Sequence, residues 1–378
     1  MARRCAVVGA GVIGACLALR LAEAGLEVTL LDQGQPGQAT SRWSFAWLNS
    51  NDKAPRAYHE LNHAGLRAWA TLAGQLDGAA WYRPAGNIEW AATAAGHATL
   101  AARVDRLASW GYPARMIDAA GAAGLEPALR LPPAGPGAGW FPAEGYLLTG
   151  PLISQLTEAA VKRGVTVLTG AAGQVTGFVL DGGAVQAVRT AAGQQIPADV
   201  VLCCAGRWTP ELARLAGAAV PVPLVPWQTV GAAAPGLVVW AGPASPDGPA
   251  RVVHAPGIHL RPHTGGQVHL EALDAAVDLH TPGAELRRWA AELLGRARRV
   301  TRGLDQAAVT TYQVCVRPMP ADGQSIVGWL PGPRGVYLAV THSGVTLAAH
   351  LAGLITTELV TGTAPDELQP YHPSRFPI

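Results

Sequence analysis

Residues 5–33 read CAVVGAGVIGACLALRLAEAGLEVTLLDQ, and the order of elements in this stretch decides the fold. An apolar run, 5–8, enters Gly9, Gly11 and Gly14. Residues 15–24 are helix formers, Gly25 stops the helix, and a second apolar run, 28–31, ends in Asp32. The order is strand, glycine turn, helix, strand, acid. Gly9 permits a tight turn, Gly11 leaves room for a pyrophosphate against the backbone, and Gly14 lets helix and strand approach closely. The start of the helix offers unpaired N–H groups to a diphosphate. Asp32, about twenty residues past the first glycine, stands where a carboxylate accepts the hydrogen bonds of an adenosine ribose. The stretch therefore predicts dinucleotide binding on an α/β fold.

Working outward, the basic start followed by apolar residues imitates an export signal. The supposed cleavage region runs into Arg20, Glu23 and a second strand, which argues against export. The uncharged segment 5–19 is too short and too broken by glycine for a membrane span. Charged residues make up only 14% of the 378-residue chain and the net charge is +2, so the charge pattern points away from nucleic acid as a partner. The one dense basic cluster, Arg287, Arg288, Arg296, Arg298, Arg299 and Arg302, falls beside Leu286, Trp289, Leu293 and Leu294 at helical spacing and reads as a solvated helix face. Five cysteines form neither a disulfide framework nor a zinc spacing, and a reducing cytoplasm fits them best. His254, His259, His263 and His269 alternate along strands, but no accompanying carboxylate or cysteine spacing suggests a metal site.

Further along, 33–51 reads QGQPGQATSRWSFAWLNSN. Ser41 and Arg42 offer a hydroxyl and a cation to a pyrophosphate, while Trp43, Phe45 and Trp47 either wall a flat ring or serve as ordinary core. Helices are expected over 53–76, 94–111, within 116–130, and over 151–163, with a surface loop at 132–139. A strand at 165–168, a hairpin over 175–190 and a buried parallel strand at 198–205 follow. A proline-rich crossing at 217–226 leads to strands at 230–234, 237–241, 251–254, 259–262 and 267–272, most economically one antiparallel sheet. Strands at 307–317, 325–328 and 336–340, a last helix at 346–359 and an irregular tail, 370–378, complete the chain.

This pattern resembles the D-amino-acid oxidase and glycine oxidase family of flavoproteins. The residues that carry the resemblance are GAGVIG with Asp32, VVLCCAGRWTPELARLAG at 200–217, CVRPMPADGQSIVG at 315–328 and THSGVTLA at 341–348. The resemblance implies an α/β protein in which a Rossmann-like FAD-binding domain (1–83, 146–217 and 318–378) is interleaved with a mainly antiparallel α+β substrate domain (84–145 and 218–317). It places Gly9, Gly11, Gly14 and Asp32, with Ala10, Val12, Ile13 and Gln33 beside them, on the ADP half of FAD. Ser41, Arg42 and Ser44 follow the pyrophosphate, Val175 meets the adenine, and Ala205, Gly206 and Trp208 lie beside the cofactor. His342, Ser343, Gly344, Val345 and Thr346 set a helix N-terminus against the pyrimidine end of the isoalloxazine, where reduced flavin carries negative charge.

By the same resemblance Arg317, in the x-R-P motif, binds a substrate carboxylate. Its other reading is a strand-end arginine in an ion pair. Arg261 is a second carboxylate partner on the strand that floors the family's substrate cavity. Trp47 and Tyr312 are expected to line that cavity, and His342 completes the catalytic candidates. Cys315 falls where some sarcosine oxidases carry a cysteine joined to the flavin; a buried free thiol with non-covalent FAD is the favoured reading. The expected reaction is dehydrogenation of an amine or amino acid to the imine, with the α-hydrogen over flavin N5 and oxygen or another electron acceptor reoxidising the cofactor. Oxidation of a 2-hydroxy acid or a tailored secondary amine is the runner-up. A nicotinamide-binding sensor and an electron-passing subunit are the alternatives from other classes.

Overall fold

The computed structural model describes residues 3–131 and 137–377, so most of the loop expected at 132–139 lies outside the described residues. Strand Arg4–Val8 pairs in parallel with Glu27–Asp32 on one side and Val200–Cys203 on the other. Thr166–Thr169 and Val336–Val340 extend this sheet, and Ile326–Trp329 closes it as an antiparallel edge, giving six strands. Its inner strands are buried on both faces, which is why they read as continuous apolar runs. Helices Val12–Glu23, Arg56–Gln75 and Gly344–Thr361 pack on one face. A three-stranded sheet (Val175–Asp181, Ala184–Thr190, Gln195–Pro197) and helix Thr209–Leu215 share the core on the other.

Two glycines set the first turn. Gly9 has φ of 103° and a Cβ there would lie 2.6 Å from the Cys204 carbonyl oxygen; a Cβ on Gly14 would lie 1.8 Å from the Gly9 oxygen. The bare Gly14 lets the helix sit this close to its strand, and the bare Gly9 lets the turn pass against the end of Val200–Cys203. Helix Gly344–Thr361 is long and apolar enough to cross a bilayer, yet half of it is buried in the protein interior, against Val12–Glu23 and Arg56–Gln75.

The second large sheet has eight strands in the order Ala308–Val316, Pro235–Gly242, Val268–Glu271, Ile258–Pro262, Val252–Ala255, Asn87–Glu89, Ala138–Phe141 and Arg115–Ile117. Alternation decides what each face does. Leu237, Val239, Leu260, Leu270 and Val314 point to one face and bury against Leu293, Leu294 and Ala297 of helix Gly283–Val300. The basic residues of that helix stay mostly outside, as an amphipathic helix requires. Residues one place along each strand form the opposite, polar face, which looks toward the first sheet and its helices; Val252 on that side belongs to their core.

Several expectations need correction. Residues 230–234 are turns rather than a strand: the Gly231 amide is taken by Asp278 Oδ2 at 2.5 Å, which draws this segment away from the sheet. Strands Ala138–Phe141 and Gly145–Leu147 arise where no strand was expected. The tail is not irregular but folds into short helical turns, Asp366–Tyr371 and Pro373–Arg375, that bury Leu368 and Tyr371. The short helix expected within 116–130 is Ala119–Leu125, and Pro127 follows its end closely.

Candidate active site

At the carboxyl ends of Arg4–Val8, Glu27–Asp32 and Val200–Cys203 a cleft of about 660 Å³ opens. Gly9, Gly11, Val12, Ile13, Asp32, Gln33, Ser41, Ser44, Val175, Ala205, Gly206, Trp208, His342, Gly344 and Val345 line it, together with Gln38, Thr40, Gln174 and Pro318, which sequence reasoning missed. The missed residues sit on turns next to expected ones, and only the turn geometry aims them inward.

The cleft has a distinct electrostatic layout. Helices Val12–Glu23 and Gly344–Thr361 both begin with no side-chain cap and no acidic residue in the first turn, and both starts face the cleft. Two helix starts and two positive dipole ends therefore serve one elongated cavity. Ser41 Oγ accepts a hydrogen bond from the Val12 amide at 3.0 Å, which sets this side chain at the start of the first helix. Asp32 accepts from the Ala10 amide at 2.7 Å and the Gly34 amide at 2.8 Å; burial pushes its pKa up while these two amides pull it back. A carboxylate at one end, a helix start in the middle and a second helix start at the far end fit an extended dinucleotide carrying a flat ring. His342 is exposed only toward the cleft; protein crowds its other sides and pushes its pKa down to about 4, so it faces the cavity neutral.

Other expected residues support this cavity from behind. Gly14 meets the Gly9 carbonyl. Ser343 Oγ accepts from Tyr58 Oη at 3.1 Å, and Thr346 Oγ1 donates to the Trp47 carbonyl at 3.3 Å. Arg42 is a correction: its guanidinium lies over the rings of Trp43 and Trp240, 5.5 and 5.6 Å from their centroids, because the indole pair forms a flat face turned toward the second sheet.

Segment 43–51 joins the two halves of the site. Ala46 has φ of 54°, and its carbonyl accepts from the Leu147 amide at 3.0 Å, so an unfavourable backbone is held by the unexpected strand Gly145–Leu147. Trp47 does not line the cleft; its ring packs at a tilt against His254, 4.1 Å between centroids, and its indole N–H donates to Glu144. Glu144 is fully buried. Its Oε2 accepts from Trp47 Nε1 (2.9 Å), Asn87 Nδ2 (3.1 Å) and Asn51 Nδ2 (3.2 Å), and its Oε1 from Tyr112 Oη (2.7 Å) and the amides of Asn51 (3.2 Å) and Ser50 (3.4 Å). Burial pushes its pKa up to about 7 against the pull of these donors. No sequence signal marked Glu144, since its partners come from 47–51, 87 and 112.

The polar face of the eight-stranded sheet holds the remaining candidates. Register puts Gln313, Val238, Glu271, His259 and His254 in one row and Thr311, Trp240, His269 and Arg261 in the next. Phe45 lies among His254, His259 and His269, and burial drives all of these imidazoles toward the neutral form. Arg261 is a correction too: it is 1% exposed and each of its guanidinium nitrogens already donates inside the protein, to the Phe45 and Pro262 carbonyls and to His269 Nδ1, so burial keeps a substrate carboxylate from it. Tyr312 is a third, since alternation turns it to the opposite face, against the core under helix Gly283–Val300. Its neighbour Gln313 is the exposed one.

Arg317 lies over Gly236, its Nε bonded to the Ala234 carbonyl at 3.1 Å and its Nη2 to the Ala233 and Pro235 carbonyls at 3.2 and 3.4 Å; Nη1 points to Glu271 at 4.0 Å. Cys315, 6% exposed, sits 3.9 Å from the carbonyl of the cleft residue Thr40 and outside the cleft lining. Burial pushes its thiol up to about 12. Arg207, which also acts on that thiol, is stacked 4.0 and 5.0 Å from the Trp208 and Trp227 rings, its buried Nε without a partner among the described residues.

Comparison with known proteins agrees with this layout. The family model described as FAD dependent oxidoreductase (DAO) matches residues 4–359. The chain is 28% identical to the uncharacterized oxidoreductase YurR of Bacillus subtilis, over 97% of this chain and 98% of that one. It is 27% identical to a glycine oxidase of Pseudomonas putida, over 97% and 96%. Among solved structures, the L-proline dehydrogenase of P. horikoshii superposes with a TM-score of 0.84 at 17% identity, covering 99% of this chain and 97% of that one, a likeness of fold. The chain belongs to the DAO family of FAD-dependent oxidoreductases and is an enzyme of that class. FAD is the dinucleotide that the cleft is built for.

Proposed function

We propose that the enzyme dehydrogenates the C–N bond of an amino acid or related amine carboxylate, giving an imine that water hydrolyses. The observation that carries this reading is Arg317: three of its hydrogen bonds to backbone carbonyls fix the guanidinium, and Nη1 is left for a ligand carboxylate beside Pro318, a cleft residue. Bound flavin accepts the hydride. The chain itself supplies position and a dry setting: Arg317 orients the carboxylate, the helix start at Gly344 offers positive potential to the ring, and neutral His342 adds no competing charge. Arg261, closed off by its own bonds, orders the floor beneath rather than meeting substrate. The buried thiol of Cys315, held protonated and off the cleft, supports non-covalent FAD. The layout of the two large sheets supports a cofactor domain assembled from 1–83, 146–217 and 318–378 around a substrate domain of 84–145 and 218–317. Five buried, unpaired cysteines support a cytoplasmic setting, with oxygen or a second electron carrier as acceptor.

Anaerobic mixing with D- and L-amino acids, N-methyl amino acids and 2-hydroxy acids, read as flavin bleaching, tests the reaction. Arg317→Ala should raise KM on the order of a hundredfold for a carboxylate substrate and far less for an uncharged amine. An equal effect on both would remove Arg317 from carboxylate binding.

A further inference from the structure

Glu271 has no assigned part in the site described so far, and its surroundings are unusual. It projects from strand Val268–Glu271 onto the polar face, in one row with Val238, the exposed Gln313 and His259. Its side chain is 17% exposed, and its one ion-pair neighbour among the described residues is Arg317 Nη1, 4.0 Å from Oε1. That separation is too long for a hydrogen bond. Arg317 and Arg261 act on it only through their charge, and no donor of the described chain reaches it. Glu271 is partly exposed and accepts no hydrogen bond from the described chain, and Arg317 Nη1 donates none, so two facing groups with unused hydrogen-bonding capacity lie together on the polar face and mark a place for a ligand.

The chemistry of the gap narrows that ligand. One wall presents two N–H donors of a fixed guanidinium and the other presents carboxylate oxygens. A molecule carrying a carboxylate and an ammonium on the same carbon matches both groups and enters with no net charge. A 2-hydroxy acid brings a net negative charge beside Glu271 and meets like-charge repulsion. We propose that Glu271 receives the ammonium group of the substrate while Arg317 receives its carboxylate, so that this site selects zwitterionic amino acids, primary or N-alkylated, over hydroxy acids. The inference rests on the carboxylate role of Arg317 and extends it to the other end of the substrate.

Binding to the FAD-loaded enzyme tests it, followed by the shift of the flavin spectrum. The probes are 2-aminoisobutyrate, which has no α-hydrogen to lose, and isobutyrate, the same skeleton without nitrogen. The wild type should bind 2-aminoisobutyrate about tenfold or more tighter than isobutyrate. Glu271→Gln should weaken 2-aminoisobutyrate by about tenfold or more and leave isobutyrate unchanged or tighter. Glu271→Ala should remove the preference for 2-aminoisobutyrate in the same way. Equal changes for both probes, or none for 2-aminoisobutyrate, would overturn the proposal. Loss of FAD from both variants would also overturn it, since a residue reserved for substrate is not needed to hold the cofactor. The underlying reading fails differently: neither probe shifts the wild-type spectrum, and no amino acid bleaches the flavin.

Discussion

Replacing Glu144 by glutamine changes one oxygen into an NH₂ group and tests whether this buried carboxylate clamps the two halves of the site. In the native protein three donors converge on each oxygen. Whichever way the amide is placed, one set of three faces a donor instead of an acceptor. On the Oε1 side Tyr112 can rotate its hydroxyl and accept, which leaves the backbone amides of Ser50 and Asn51 without a partner. On the other side Trp47, Asn51 and Asn87 all lose theirs. Two buried donors left unsatisfied at roughly 1–3 kcal/mol each, less some relaxation, give a loss of about 3 kcal/mol. For a chain of 378 residues, with an unfolding entropy of about 2.1 cal/mol/K per residue, that lowers the melting temperature by about 4 °C. The clamp also fixes Trp47, whose carbonyl accepts from Thr346 in the first turn of the flavin-facing helix, so the variant should release FAD several-fold faster. Differential scanning calorimetry and fluorescence of released flavin read the two effects. A melting temperature within 1 °C of the wild type, with unchanged FAD release, would refute the clamp.

Two further outcomes follow from the same geometry. His254, His259, His263 and His269 have pKa values depressed by burial, to about 4 for His259 and His263, so the unfolded chain takes up their protons first as pH falls below 6.5. Their contribution is complete above 6.5 and is lost as pH falls toward the folded values, at up to about 1.4 kcal/mol per pH unit for each histidine, so stability should drop steeply between pH 6.5 and 4; urea midpoints that stay flat over this range would contradict the neutral histidines. Gly14→Ala puts a methyl carbon 1.8 Å from the Gly9 oxygen, so helix Val12–Glu23 must move off its strand. That variant should purify with little or no bound FAD, and full flavin occupancy would show that the close approach is dispensable.

Local chemistry makes much of this protein legible in its sequence. The turn from Arg4–Val8 into Val12–Glu23, the acid at the end of Glu27–Asp32 and the uncapped last helix all depend on residues near one another in the chain, and glycines with no room for a Cβ announce themselves by composition. Strands of the second sheet were legible as alternation, but alternation says only that two faces differ. Tyr312 and Gln313 are adjacent, and nothing within strand Ala308–Val316 tells which one meets helix Gly283–Val300 and which one is exposed on the side of the cofactor. Arg261 and Arg317 likewise look alike in sequence as strand arginines. One is closed off by Phe45, Pro262 and His269 and the other keeps Nη1 toward Glu271, a difference set by partners as distant as Phe45 and Ala234.

The sequence by itself determined the dinucleotide turn, the class of fold and the chemistry of the cofactor, because each rests on steric and hydrogen-bonding demands that neighbouring residues meet together. The tertiary structure alone decided which arginine keeps a free edge, that Glu271 faces it, and that Glu144 ties segment 47–51 to strand Asn87–Glu89. These depend on sheet register and on burial, and burial converts a charged side chain into either a sealed support or an open binding group according to which distant donors reach it.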